Sequence, residues 1–106
     1  MKVFMDNDLL ELYKTGKNAR YKEVARNIVL MRGFLRAVNA MMIAGSMNEL
    51  RGISYLHYEQ LRHDYSGLSS VRLSNSYVHR LIFRESEEGI SIELITIDDT
   101  HYGNKR

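Results

Sequence analysis

The hydrophobic residues of this chain change their spacing near the middle of the sequence, and this change is the strongest constraint on the fold. Up to Ala44, apolar residues recur every three or four positions, as they do along one side of a helix. From Val71 to Ile97, apolar and polar residues alternate, as they do in strands. Helices gathered before strands predict an α+β domain. With 106 residues and no internal repeat or linker, the chain is expected to form one domain over residues 1–106.

The first half is expected to supply two to three helices. An Asp or Asn among residues 6–8 can cap a short helix that ends at Gly16. The apolar spacing then predicts one long helix over 18–44, with its basic residues on the side opposite the apolar ones. Ser46 and Glu49 have the capping-box spacing, which predicts a further short helix ending before Gly52.

The second half is expected to form a mainly antiparallel sheet of three to four strands. Residues 71–74, 77–85 and 90–97 read as successive strands with short turns, and residues 3–5 are a candidate opening strand. The helices, with the long one laid across the sheet, are expected to pack on one of its faces.

A basic central segment is hidden by the chain's net charge of +2. Between Lys14 and Arg84 there are twelve basic and four acidic residues, a local charge of +8, and the two ends carry −6. Such a segment suggests a polyanionic partner such as a nucleic acid, with a merely solvated basic face as the alternative. The basic face of the long helix consists of Lys22, Arg26, Arg32 and Arg36.

Several function classes are excluded or disfavoured. The chain has no Cys, so it has no disulfide, thiol nucleophile or Cys-bound metal. His57 and His63 are not spaced as a helical ligand pair, and no phosphate loop or dinucleotide fingerprint occurs, so we expect neither metal nor cofactor. Early charges exclude a signal peptide and no apolar segment is long enough to span a membrane, so we expect a cytoplasmic protein.

Three arginines fall on neighbouring predicted strands. Alternation places Arg80 and Arg84 on the sheet face away from the core, with Arg72 beside Arg80. Guanidinium groups on an open face can bind a phosphate bidentately and stay charged. The alternative is that these arginines are solvated and pair with glutamates such as Glu85 or Glu93.

An imidazole and a phenol stand side by side after the last predicted strand, at His101 and Tyr102. A histidine can transfer a proton near neutral pH, and a tyrosine can donate a hydrogen bond or a proton to a phosphate oxygen. The pair alone is weak evidence for a catalytic site, because most such pairs only decorate a surface.

Four segments, at residues 59–64, 70–74, 77–84 and 98–102, together resemble HigB-type toxins of the RelE/ParE superfamily, the plasmid-maintenance killer proteins. The run from Arg72 to Arg84 is the most specific part of this resemblance. The resemblance implies a RelE-like fold and a ribosome-dependent mRNA endonuclease that inhibits translation and growth. It also implies a cognate helix-turn-helix antitoxin of the HigA type, besides the ribosome and mRNA as partners.

The resemblance assigns roles to individual residues in a metal-free attack of a ribose 2′-OH on the adjacent phosphate. Arg62, Arg72 and Arg80 match the positions that would hold the phosphate. His101 would act as acid or base, helped by Tyr102 or His57. Contacts to the ribosome and RNA would fall to Lys22, Arg26, Arg32, Arg36 and Arg84.

Two other functions fit the same resemblance. In a ParE-like toxin the fold would poison DNA gyrase through protein contacts, without catalysis. In a degenerate member only antitoxin binding would remain. His101 beside phosphate-binding arginines favours the nuclease, because a pure binding module needs no imidazole there.

Overall fold

A computed structural model describes residues 1–62 and 66–99, with helices in the first half and most of the sheet in the second. This order confirms the predicted α+β class. The elements are β1 Lys2–Phe4, α1 Asn7–Thr15, α2 Lys22–Ala25, α3 Ile28–Ile43, α4 Met47–Arg51, a 3-10 turn Ser54–Leu56, β2 Glu59–Gln60, β3 Ser69–Arg72, β4 Arg80–Glu85 and β5 Ser91–Asp98.

The sheet has five strands in the order β1-β5-β4-β3-β2. Strands β2 to β5 pair antiparallel, as predicted, whereas β1 pairs parallel with β5 and sets Val3 opposite Ile92. The expected three to four strands become five because Glu59 and Gln60 add an edge strand. Two residues are too few to show an alternating pattern, so this strand left no signal in the sequence.

The prediction of a single helix over 18–44 is wrong, because the segment forms two helices that meet at Asn27. The backbone of Asn27 is extended, and its side-chain oxygen accepts hydrogen bonds from the N–H groups of Val29 at 3.0 Å and Leu30 at 3.2 Å. This cap ends one helix and starts the next. The apolar spacing continues across the break because Val24 of α2 and Leu30 of α3 are both buried in the same core.

The other predicted helix ends are confirmed. Asp6 accepts a hydrogen bond from the N–H of Leu9 at 2.9 Å, and Gly16 closes α1 with a φ of 75°. The Ser46 hydroxyl accepts from the N–H of Glu49 at 3.3 Å, and the Glu49 carboxylate accepts from the N–H of Gly45 at 2.8 Å. Polar side chains thus satisfy first-turn donors in both α1 and α4.

The core lies between the helices and one face of the sheet. Leu81 and Phe83 of β4, with Val71 of β3, are fully buried in the same cluster as Phe34 of α3. This confirms which face of β4 packs on the helices. No helix within residues 1–62 and 66–99 is long and apolar enough to cross a membrane.

Close contact between α3 and the sheet depends on a glycine. A β-carbon built on Gly33 would lie 1.9 Å from the backbone oxygen of Leu73, just beyond the end of β3. Only a residue without a β-carbon permits this approach, which fixes the position of α3 on the sheet.

Candidate active site

Arg80 lies at the centre of the candidate site, on the first residue of β4. Strand register places Arg72 of β3 directly opposite Arg80 on one side, and Asp98 of β5 opposite it on the other. The predicted neighbourhood of Arg72 and Arg80 is therefore confirmed. Because β5 ends at Asp98, the chain leaves the sheet beside Arg80.

The guanidinium of Arg80 is held by three groups rather than lying on an open face. Its Nε donates to the Ser70 hydroxyl at 2.7 Å, its Nη2 donates to the backbone oxygen of His57 at 3.0 Å, and the same Nη2 lies 3.2 Å from a carboxylate oxygen of Glu59. The residue is only 7% exposed. The expectation of an open face is thus wrong at Arg80, because residues 57–59 fold against its guanidinium.

Three influences act on the charge of Arg80. Burial lowers the pKa of its guanidinium, the Glu59 carboxylate raises that pKa, and the nearby Arg72 cation lowers it. The guanidinium nevertheless keeps its charge near neutral pH, because an arginine is not deprotonated in proteins. The site therefore presents a fixed cation with a carboxylate in contact with it.

No role was predicted for Glu59 from the sequence. It is, however, the first residue of the segment 59–64, which is part of the resemblance. Its carboxylate side chain is about half exposed at 45%, and it stands on the two-residue edge strand β2. Its sequence position gives no sign that it meets Arg80 across the sheet. A partly exposed carboxylate can take up a proton from a hydroxyl group, which is the task of a general base.

His57 contributes its backbone to the site. Its oxygen binds Arg80, and its own φ is 49°, the one positive φ among the non-glycine residues that the structure describes. A non-glycine residue in this left-handed region carries local strain, which here places the carbonyl on Arg80. The imidazole is exposed, so it is accessible from solvent.

The remaining arginines of the sequence prediction lie in different surroundings. Arg62 is exposed and lines a separate cavity of about 420 Å³ with Gln60 and residues 66–68. Arg72 is half-buried and donates from Nη1 to the backbone oxygen of Tyr77 at 3.4 Å. Arg84 is exposed and pairs with Glu93 at 3.0 Å, which is the alternative outcome foreseen for these strand arginines.

His101 and Tyr102, the predicted proton-transfer pair, lie outside the described residues. So does His63. The roles predicted for His101 and Tyr102 stay predictions.

The four residues of the predicted basic face lie in α2, in α3 and in the turn between the two helices. Lys22, Arg26, Arg32 and Arg36 are all exposed, and within residues 1–62 and 66–99 none of them is within 4.0 Å of an acidic group. The Arg36 guanidinium lies 4.5 Å from the centre of the Tyr55 ring. Arg32 and Arg36 also line a groove of about 540 Å³ whose other wall is the turn 74–76.

Comparisons with known proteins give a structural relative and no sequence relative. No protein-family model and no curated protein matches this chain. Among solved structures, the chain is similar to a YoeB/ParE toxin from Agrobacterium tumefaciens, with 18% identity and a TM-score of 0.53. The similarity covers 93% of this chain and 98% of that toxin. The chain therefore shares the fold of that protein, with a buried arginine and a carboxylate paired on its sheet.

Proposed function

We propose that this protein is the toxin of a type II toxin–antitoxin system and that it cuts mRNA on the ribosome. The contact between the buried Arg80 and the half-exposed Glu59, with Arg72 opposite, carries the proposal. A cation and a base held side by side are what cleavage of an RNA phosphate by its own 2′-OH requires. Similarity in fold to a YoeB/ParE toxin supports the broader assignment to the toxins.

In the proposed reaction, the scissile phosphate replaces the Glu59 carboxylate as the partner of Arg80. Glu59 then removes the proton from the ribose 2′-OH, and the 2′-oxygen attacks the adjacent phosphorus. The bond to the 5′-oxygen of the next nucleotide breaks, leaving a 2′,3′-cyclic phosphate.

The other residues of the site stabilise the charge on the phosphate and protonate the leaving oxygen. Arg72 and Arg80 stabilise the negative charge that develops on the phosphate oxygens, and Arg62 binds the RNA strand at its separate cavity. His101 donates a proton to the departing 5′-oxygen, with Tyr102 or the exposed His57 assisting.

Two partners belong to this proposal. The ribosome is bound through the exposed basic face and through Arg84, since cations that neutralise RNA phosphates release counterions from the RNA. A helix-turn-helix antitoxin of the HigA type neutralises the toxin in the cytoplasm.

Mapping of mRNA 5′ ends in growing cells tests the proposal. Expression of the chain is expected to produce codon-phased cuts in translated messages, and Arg80→Ala to abolish both the cuts and the growth arrest. Lys14→Ala changes an exposed cation on α1, away from the sheet, and should leave both effects intact. Equal soluble levels of the three proteins, measured on blots, are the control for folding.

The same experiment tests the gyrase alternative, which the resemblance in the sequence also allows. A DNA-damage response with intact mRNA would contradict the nuclease and support gyrase poisoning. No growth effect from the unaltered chain would contradict both and leave a protein that only binds its antitoxin.

A further inference from the structure

A second cluster of chemically active side chains lies away from the arginine site. It surrounds a cavity of about 230 Å³ between α2 and the ends of β4 and β5. Glu23 of α2, His79 just before β4 and Asp99 just after β5 all line this cavity. His79 directly precedes Arg80, and the proposed nuclease reaction uses none of the three.

His79 is an unusual histidine within the described chain. Its side chain is 7% exposed, and its Nε2 lies 3.2 Å from a carboxylate oxygen of Glu23. Its Nδ1 is fully buried and has no hydrogen-bond partner, and it is the one buried side-chain polar atom in residues 1–62 and 66–99 of which this is true. Buried polar atoms are nearly always satisfied, so Nδ1 is an exception, whereas Nε2 is the ring nitrogen that meets Glu23.

The three side chains can reach a common point. One ligand atom from each of Glu23, His79 and Asp99 lies within 4.8 Å of the other two. Ligands of a tetrahedral Zn²⁺ at about 2.0–2.1 Å stand roughly 3.4 Å apart, so Glu23 and His79 are already close enough at 3.2 Å and any wider pair must close to that spacing. Glu23 is 67% exposed and Asp99 is exposed beyond the end of β5, so both can make this movement while the buried ring stays in place.

We propose that Glu23, His79 and Asp99 bind a divalent transition-metal cation such as Zn²⁺. One imidazole nitrogen and two carboxylate oxygens are ligand types that Zn²⁺ accepts, and the cavity leaves a fourth position for water. Arg20 lines the same cavity, but its charge is shared with Asp8 at 3.7 Å and Asp6 at 4.0 Å. This site departs from the expectation of no metal, which considered only His57 and His63.

The bound cation has a structural task in this proposal. It ties α2 to the end of β5, where the segment that carries His101 and Tyr102 begins. Metal binding couples to folding, because the three ligands come together only in the folded chain. The inference stands apart from the nuclease proposal, because none of the three ligands takes part in that reaction.

Titration calorimetry of the untagged, full-length chain with Zn²⁺ tests the site. We expect one ion per chain, and we expect Glu23→Gln and Asp99→Asn each to weaken the affinity at least tenfold. Both changes keep the shape of an exposed side chain while removing its charge, so the fold is preserved. Glu88→Gln, an exposed glutamate in the turn between β4 and β5, is the matched control and should bind as the unaltered chain does.

Nitrogen NMR of the histidine rings supplies a direct readout that does not depend on activity. Addition of Zn²⁺ should shift the ring nitrogens of His79 and leave those of His57 unmoved. The proposal is overturned if no ion binds, if binding is unchanged in both Glu23→Gln and Asp99→Asn, or if it is lost in His57→Asn instead. Thermal unfolding with and without Zn²⁺ adds a check, since an ion bound only by the folded chain raises the midpoint.

Discussion

Two basic regions of this molecule differ in how their charges are held. On the sheet, Arg80 is buried and bonded to Ser70, His57 and Glu59. On the basic face of α2 and α3, the four cations are exposed, and within the described residues no acidic group pairs with them. Both regions raise the positive charge of the chain, but only the first fixes a cation in one position.

The difference indicates that the sheet arginine and the exposed basic face have different roles. A cation held in one position can stabilise the negative charge that develops during a reaction, because it does not have to move when that charge appears. Exposed and unpaired cations supply affinity for a polyanion, which depends strongly on salt. Substitutions in the two regions should therefore affect different measurements.

The largest expected effect is that of Glu59→Gln. Loss of the proposed general base should slow cleavage of ribosome-bound mRNA about 10²–10⁴-fold, because glutamine cannot take up the proton. Ribosome co-sedimentation should not change, and the unfolding temperature should fall only slightly, because the glutamine oxygen can still accept a hydrogen bond from Arg80 at this half-exposed position. Single-turnover cleavage on purified ribosomes measures the rate, and an unaltered rate would remove Glu59 from the mechanism.

Arg80→Lys is expected to have the next largest effect. Lysine keeps the positive charge but cannot reach Ser70, His57 and Glu59 with one planar group. Cleavage should fall about 10²–10³-fold, while binding to the ribosome is retained. If the single-turnover rate survives, charge alone is sufficient at this position and the fixed geometry is not needed.

Charge reversal on the basic face should give a smaller and different change. The double variant Arg32→Glu and Arg36→Glu is expected to weaken ribosome co-sedimentation about tenfold and to flatten its dependence on salt. Cleavage at saturating ribosome concentration should be preserved. The matched control, Lys14→Glu with Lys17→Glu, reverses two exposed cations outside the face. Equal effects of the two pairs would show that only total charge matters.

Arg84→Ala is expected to have the smallest effect. Arg84 already pairs with Glu93 on an exposed part of the sheet, and such pairs contribute about 0–1 kcal/mol to folding. We expect less than about a threefold change in co-sedimentation, consistent with a single peripheral cation. A large loss of co-sedimentation would instead show that Arg84 is a main contact to the ribosome.

Most of the fold was predictable from the sequence because local signals determine it. Asp6, Gly16 and Ser46 act within one turn of helix, and the alternation around Leu81 and Phe83 identifies the buried face of β4. The break at Asn27 was not predictable from periodicity, because the apolar spacing runs through it. The edge strand β2 was missed because two residues show no period.

The candidate site was only partly predictable, because its contacts join distant parts of the chain. Arg72 and Arg80 were found because they stand on adjacent strands. The pairing of Arg80 with Glu59, and the burial that comes with it, depend on how residues 57–59 fold over the sheet. The cluster of Glu23, His79 and Asp99 likewise draws on three separate elements, and no spacing rule links them.

The parallel pairing of β1 with β5 has a consequence for the timing of protein synthesis. Val3 is made long before its partner Ile92, with β2, β3 and β4 between them in the sequence, so this edge of the sheet cannot form early. Pairing between such distant residues is slow to form, and it must wait until β5 has left the ribosome. A nascent chain therefore lacks both the completed sheet and Asp98 beside Arg80. In the proposed toxin, the sheet that carries Arg80 would therefore be complete only after β5 has left the ribosome.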